Sequence, residues 1–205
     1  QIPHAVAQGL WLTALVFIPA GLLLYFSPLL LHWMDVSVLM AEKTTKYLHA
    51  MLLGLPAYLY YQVLRNYAEG LSHTIPGMCI GFAGLLLNIP LNYLLIYGVW
   101  GFPELGGVGC GFASAAAMWF MAISMTVYVL KSNSYAECRL FRQFIVWNKN
   151  DMLRIFKLGA PIALALFCEV TLFTVVALLL APLGPEIVAS HQVALNYSSL
   201  IYFFY

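Results

Sequence analysis

The chain has 205 residues, of which 63% are hydrophobic and only 8% charged, with a mean hydropathy of +0.87 and a formal net charge of +1. An ordinary soluble domain carries about 25% charged residues, so this composition excludes a water-dissolved globule and indicates an all-α integral membrane protein whose first partner is the lipid bilayer. With the few cations not gathered on a basic face, a nucleic-acid partner is excluded as well.

Six apolar segments of spanning length follow in order, at about 10–31, 47–68, 77–98, 107–130, 158–181 and 187–205, each set off by turn residues or charges. The first is not a signal peptide, for it has no basic leader and no small-residue cleavage site, and Gln1 is not an initiator methionine. The last runs to Phe203-Phe204-Tyr205 with no polar exit, so the chain is expected to begin and end inside a longer protein. Segment two closes on Arg65 and Glu69, the i,i+4 spacing of an interfacial ion pair. Pro56, Pro161, Pro182 and Pro185 are expected to mark kinks or helix ends.

Segment three contains Leu87-Asn88-Ile89-Pro90-Leu91-Asn92-Tyr93, two carboxamides one helical turn apart on one face. Pro90 removes a backbone donor and crowds the Leu86 carbonyl, which frees an acceptor at membrane depth and bends the helix. Two roles stay open for the pair: part of a polar cavity or cation network, or glue between helices. Segment four opens on Gly106-Gly107-Val108-Gly109-Cys110-Gly111, with Gly107, Gly111 and Ala115 at a spacing of four that reads as close helix packing. No strand precedes these glycines and no acidic ribose partner follows, so a nucleotide loop is excluded.

The stretch 131–157 is read as the one long loop, with Trp147 and Phe144 among its cations suited to a short amphipathic stretch on the bilayer surface. Segment five then places Glu169 inside an otherwise apolar run, roughly 16 Å from Leu158 and thus about halfway across a hydrocarbon core roughly 30 Å thick. An unpartnered charge there costs at least about 2.5 kcal/mol, so Glu169 is expected to face a polar cavity, a cation or a proton. In segment six Gln192, Asn196 and Ser199 fall on one stripe flanked by Tyr202, a pattern able to line a hydrated path. His191, near the outer end, reads as a hydrogen-bonded interface residue. Cys79, Cys110, Cys138 and Cys168 have no ligand spacing, and neither a disulfide nor a structural metal is expected.

The runs Arg65-Asn-Tyr-Ala-Glu-Gly-Leu-Ser-His-Thr-Ile-Pro76, Leu87 to Tyr93, Gly106 to Gly111, Leu158-Gly-Ala-Pro161 with Glu169, and His191-Gln-Val-Ala-Leu-Asn196, in this order, resemble the NorM-like branch of the multidrug and toxic compound extrusion (MATE) family. The resemblance implies a twelve-helix, two-bundle transporter of the cell inner membrane that exports organic cations, drugs or dyes, in exchange for Na⁺ or H⁺ by alternating access, with no enzyme activity and no other cofactor. By the same resemblance residues 1–130 hold the family's helices three to six, 131–157 is the cytoplasmic inter-bundle loop, and 158–205 holds helices seven and eight. The remaining helices of the same transporter are then the partners of this chain. Glu169 matches the family's cation-coupling acid and, by that resemblance, is the expected Na⁺ ligand. Tyr202 matches an aromatic near that ion, and Gln192 a cavity residue, with Asn196 one turn further along the same stripe. Asn88 and Asn92 match polar residues around an aspartate on helix one. Because some relatives carry an acid where this chain has Asn92, coupling to Na⁺ through Glu169 is favoured. A lipid-linked precursor flippase of the same superfamily, or a non-transporting membrane subunit, are the alternative classes. The flippase is disfavoured because the six segments hold no intramembrane cationic cluster.

Orientation follows from the basic residues: six of the nine (Lys131, Arg139, Arg142, Lys149, Arg154, Lys157) lie in 131–157 and Arg65 ends segment two on the same side, against Lys43 and Lys46 opposite. The 131–157 side is therefore cytoplasmic. With the native cysteines replaced, Ser132→Cys is expected to be shielded from an impermeant maleimide in intact cells and Glu104→Cys to label; the reverse pattern inverts the topology.

Overall fold

The computed structural model describes residues 2–29, 38–101, 103–132, 148–180 and 185–203. Six long helices carry almost all of them: α1 (Ile2–Tyr25), α2 (Val38–Gly70), α3 (Ile75–Tyr97), α4 (Gly107–Lys131), α5 (Lys149–Leu180) and α6 (Pro185–Phe203), with a 3-10 turn over Val99–Gly101. There is no strand among the described residues. Four helical stretches are long and apolar enough to cross a membrane: Val6–Tyr25, Ile75–Tyr97, Gly107–Lys131 and Lys149–Val176. The other two expected crossings are helical but more polar, α2 through His49, Tyr58, Tyr60, Tyr61 and Gln62 and α6 through Ser190, His191, Gln192 and Asn196.

Three helices begin earlier than hydropathy indicates, because local polar contacts extend them beyond the apolar stretch. The first turns of α1 hold His4 and Gln8, which bond to Asp151 and to the Asn148 backbone N–H. In α2 an exposed Glu42–Lys46 ion pair of 2.7 Å spans one turn ahead of the apolar segment, and the Lys46 ammonium holds the Glu42 carboxyl below the usual carboxylate range. Residues 149–157, expected within the long loop, form the first turns of α5, where the Asn148 side chain accepts from the Asn150 N–H. The proposed amphipathic stretch around Phe144 and Trp147 lies outside the described residues.

Prolines interrupt these helices less than their sequence positions suggest. Pro56, Pro90 and Pro161 lie inside α2, α3 and α5, and Pro185 opens α6. In hydrocarbon a broken helix leaves several unpaired backbone groups whereas an interior proline removes one donor, so continuing is the cheaper course.

The chain separates into two compact units, Gln1–Met152 and Leu153–Tyr205. In the first, α4 packs between α2 and α3, and α1 packs on the outer side of α2. The seam is made of small residues. Gly109, Gly111, Ala113, Ala115 and Ala117 of α4 are buried. A Cβ on Gly54 would lie 2.8 Å from the Ala115 Cα, one on Gly111 3.0 Å from Ala50, and one on Gly109 2.5 Å from the Leu95 carbonyl oxygen. Gly107, grouped with these by spacing, stands apart: it is exposed at the helix start and has nothing within 4 Å.

Toward the other end of the unit the seam gives way to larger side chains. Val6, Tyr61, Leu64, Tyr67, Ala68, Met125 and Val129 form the core there, so the starts of α1 and α3 and the ends of α2 and α4 share one end of the bundle. That end carries Arg65, Lys131 and Lys149. Arg65 Nε donates to Glu69 Oε1 at 2.6 Å, as the spacing predicts. At the opposite end Gly98 caps α3 with φ of 65° and its N–H on the Leu94 carbonyl, and the Leu105 N–H returns to the Leu95 carbonyl at 3.0 Å, closing a tight turn. Trp100 projects from that turn, 87% exposed, as an interfacial aromatic does.

Because α2 and α4 approach through bare backbone, Gly54→Val must either clash with the Ala115 Cα or push the helices apart, at about 1–3 kcal/mol. The thermal midpoint of the full-length protein in detergent is expected to fall by several degrees, whereas Gly70→Ala, with nothing within 4 Å, should leave it in place. Equal midpoints would remove the seam from its structural role.

Candidate functional site

In α3 the two carboxamides meet directly. Asn92 Nδ2 donates to Asn88 Oδ1 at 2.7 Å across one turn, with both residues half-buried. The bond uses one donor of Asn92 and leaves its oxygen. Asn92 Oδ1 is buried and has no hydrogen-bond partner among the described residues. An orphaned amide oxygen in this setting forgoes about 1–3 kcal/mol, an amount a water, a cation or a donor from another helix would return. The group is an acceptor without a charge, so it can orient and coordinate but cannot store a proton at neutral pH.

The acid is in the second unit. Glu169 sits mid-way along α5 with an exposed side chain, and it makes no hydrogen bond or ion pair among the described residues. Its neighbours on every side, among them Leu166, Phe167, Val170, Leu172 and Phe173, are exposed too. No group of three or more His, Cys, Asp or Glu able to hold a metal occurs among the described residues.

On α6 Gln192 and Asn196 are exposed and one turn apart, and His191, half-buried, has a buried Nε2 without a partner. The expectation of a satisfied interface histidine is thus not met within the described residues. Tyr202 and Ser199 lie on α6, but their side chains fall outside what is described. The structure thus brings Asn88 and Asn92 together and puts Gln192 and Asn196 on one turn.

Several polar contacts were not legible in the sequence. Gln8 is fully buried and accepts from the Asn148 N–H at 3.2 Å, while Asp151 Oδ2 receives both His4 Nε2 and Asn148 Nδ2 at 2.8 Å. The signal available was a lone Gln and His ahead of an apolar segment. Hydropathy alone begins the first apolar segment at residue 10 and leaves both residues outside it. The Tyr61 hydroxyl donates to the Gly77 carbonyl at 3.0 Å, and Trp119 Nε1 to the Leu53 carbonyl at 3.0 Å, each a tie between helices that no spacing rule reveals.

Residues 1–94 match the MatE family. The chain is 50% identical over 202 residues to the multidrug resistance protein NorM of Photobacterium profundum, covering 98% of this chain and 44% of that protein. It is 50% identical over 204 residues to NorM of Vibrio cholerae, covering 100% and 45%, and 51% identical over 203 residues to the multidrug resistance protein MdtK of Yersinia pestis, covering 98% and 44%. It therefore spans a little under half the length of these relatives. Among solved structures, a eukaryotic MATE transporter, AtDTX14, matches with a TM-score of 0.75 at 21% identity, over 87% of this chain and 38% of that one, a likeness of fold. The shared fold, the family match and identity near 50% across the whole chain place it in the MATE family, as a multi-pass membrane segment similar to NorM and MdtK.

Proposed function

We propose that the full-length protein is a multidrug efflux antiporter that exports organic cations in exchange for Na⁺, or H⁺, by alternating access in the cell inner membrane, without covalent chemistry. The observation that carries this reading is the 50% identity to proteins named for multidrug resistance, over essentially all of the chain. A carboxylate alone in the middle of an apolar helix supports it, since such a group is costly to keep idle.

Glu169 is the coupling residue in this proposal. A ligand moves a conformational equilibrium only by its difference in affinity for the two states, and turning 1:99 into 99:1 takes about 5.5 kcal/mol. A carboxylate and a monovalent cation 4 Å apart attract by about 1 kcal/mol in water and about 4 kcal/mol at an effective dielectric of 20. An open, hydrated Glu169 is too weak to drive the switch. Its surroundings have to close around the ion in one state and open in the other, and the helices that complete the transporter provide that closure. A small cation and an organic cation cannot both occupy one carboxylate comfortably, so binding the first favours release of the second. Gln192, Asn196 and Tyr202 serve the same cavity from α6. Asn88 and Asn92 serve a neutral polar site in the first bundle, where the free Asn92 oxygen takes a water, a cation or a donor, and the absence of an acid at 92 favours Na⁺ through Glu169 over proton storage.

Glu169→Gln in the full-length protein keeps volume and hydrogen bonding but loses the charge. It is expected to abolish ethidium efflux from loaded vesicles under an imposed Na⁺ or H⁺ gradient, with membrane expression retained. Gradient-dependent efflux that persists would sink the assignment.

For the first bundle, Asn88→Leu or Asn92→Leu is expected to cut transport at least tenfold while shifting the thermal midpoint by only a few degrees. A large loss of stability with transport per folded molecule unchanged would make the pair helix glue.

A further inference from the structure

Where α3 and α4 meet at the end of the first unit that carries Arg65 and Lys131, they leave a groove of ≈ 570 Å³. Its walls are Ile80 of α3 and Ile123, Val127 and Tyr128 of α4, and it ends at Lys131 and Ser132. Both helices are apolar enough to cross a membrane, and Ile123 and Leu130 beside the groove are 58% and 62% exposed. An occupant would thus approach from the hydrocarbon.

Two features say what kind of occupant fits. From Ile123 to Lys131 the groove follows α4 for eight residues, roughly 12 Å along the axis. A single leaflet of the hydrocarbon core is about 15 Å deep, so the apolar walls match the length of a lipid chain within one leaflet. The polar end of the groove then falls at headgroup level. There Lys131 makes no ion pair among the described residues, unlike Arg65 and Lys46, which are held by Glu69 and Glu42. Its stem can lie along the helix while the ammonium reaches the surface.

From this geometry we infer that the α3/α4 groove binds an anionic phospholipid, one acyl chain on Ile80, Ile123 and Val127 and the headgroup phosphate on Lys131. Basic sites between membrane helices select negative headgroups in this way, whereas a zwitterionic lipid carries its own cation and gains less from the lysine. The inference is independent of the transported solute and of Glu169.

Native mass spectrometry of the full-length protein in detergent, titrated separately with phosphatidylglycerol and with phosphatidylcholine of the same acyl chains, tests it. Lys131→Gln is expected to weaken phosphatidylglycerol binding about fivefold, the effect of one lysine at an anionic surface, and to leave phosphatidylcholine unchanged. Val127→Trp fills the groove and should weaken both lipids, and inorganic phosphate at millimolar concentration should displace neither. Binding of phosphatidylglycerol unaltered by Lys131→Gln or by Val127→Trp overturns the site, as it would if another helix of the transporter covered the groove. An equal effect of Lys131→Gln on both lipids overturns the charge selectivity, and displacement by free phosphate makes it a simple anion site.

Discussion

The close approach of α4 to its two neighbours is the contact on which the first unit depends. In a bilayer, lipid tails are as apolar as leucine, so there is no hydrophobic force to drive one spanning helix onto another, and dispersion between tightly fitted surfaces must serve instead. Small side chains make that fit possible. With Gly54 against Ala115, Gly111 against Ala50 and Gly109 against the Leu95 carbonyl, α4 is held from both sides at backbone distance. The tight turn through Gly98 returns the chain between α3 and α4 so that these contacts come into register.

The same solvent governs the polar side chains. A hydroxyl or amide at membrane depth has no water to fall back on, and the described ones are mostly spent on backbone carbonyls or on each other: Tyr61 on Gly77, Trp119 on Leu53, Thr126 on Ala122, Asn92 on Asn88. The few that are not spent stand out against this background. Asn92 Oδ1 and His191 Nε2 are buried and unbonded among the described residues, while the Glu169 carboxyl is exposed on an apolar helix. Groups of this kind are where a membrane protein departs from satisfied packing, and in the proposed transporter they are the points at which solute, ion or further helices enter.

The two units differ in how complete they are. In Gln1–Met152, α2 and α4 bury a continuous core, whereas in Leu153–Tyr205 nearly every described side chain is exposed, the length of α5 beyond Leu153 included. The curated relatives are more than twice as long as this chain, which accords with a second unit whose packing partners lie in the rest of the protein. The coupling site proposed on α5 and α6 would for that reason be represented here by single residues.

The membrane class, the approximate helices, the Arg65–Glu69 pair and the meeting of Asn88 with Asn92 could all be read from the sequence, because each is a matter of composition or of one helical turn. The family resemblance was legible for a related reason, since it rests on the order of short motifs along the chain. Hydropathy places the starts of α1, α2 and α5 about eight to nine residues too late, where polar residues that it assigns to loops are bonded into helical turns by His4–Asp151, Glu42–Lys46 and Asn148–Asn150. Gly107 looked equivalent to Gly111 and is not, because a spacing of four names a face without saying where along the helix a neighbour begins. The orphaned oxygen of Asn92, the burial of Gln8 and the groove ending at Lys131 were likewise invisible. Sequence by itself determined which stretches belong in lipid and which chemistry they carry. Only the tertiary structure decided which polar groups are satisfied and which are left over, since that depends on distances between helices far apart in the chain.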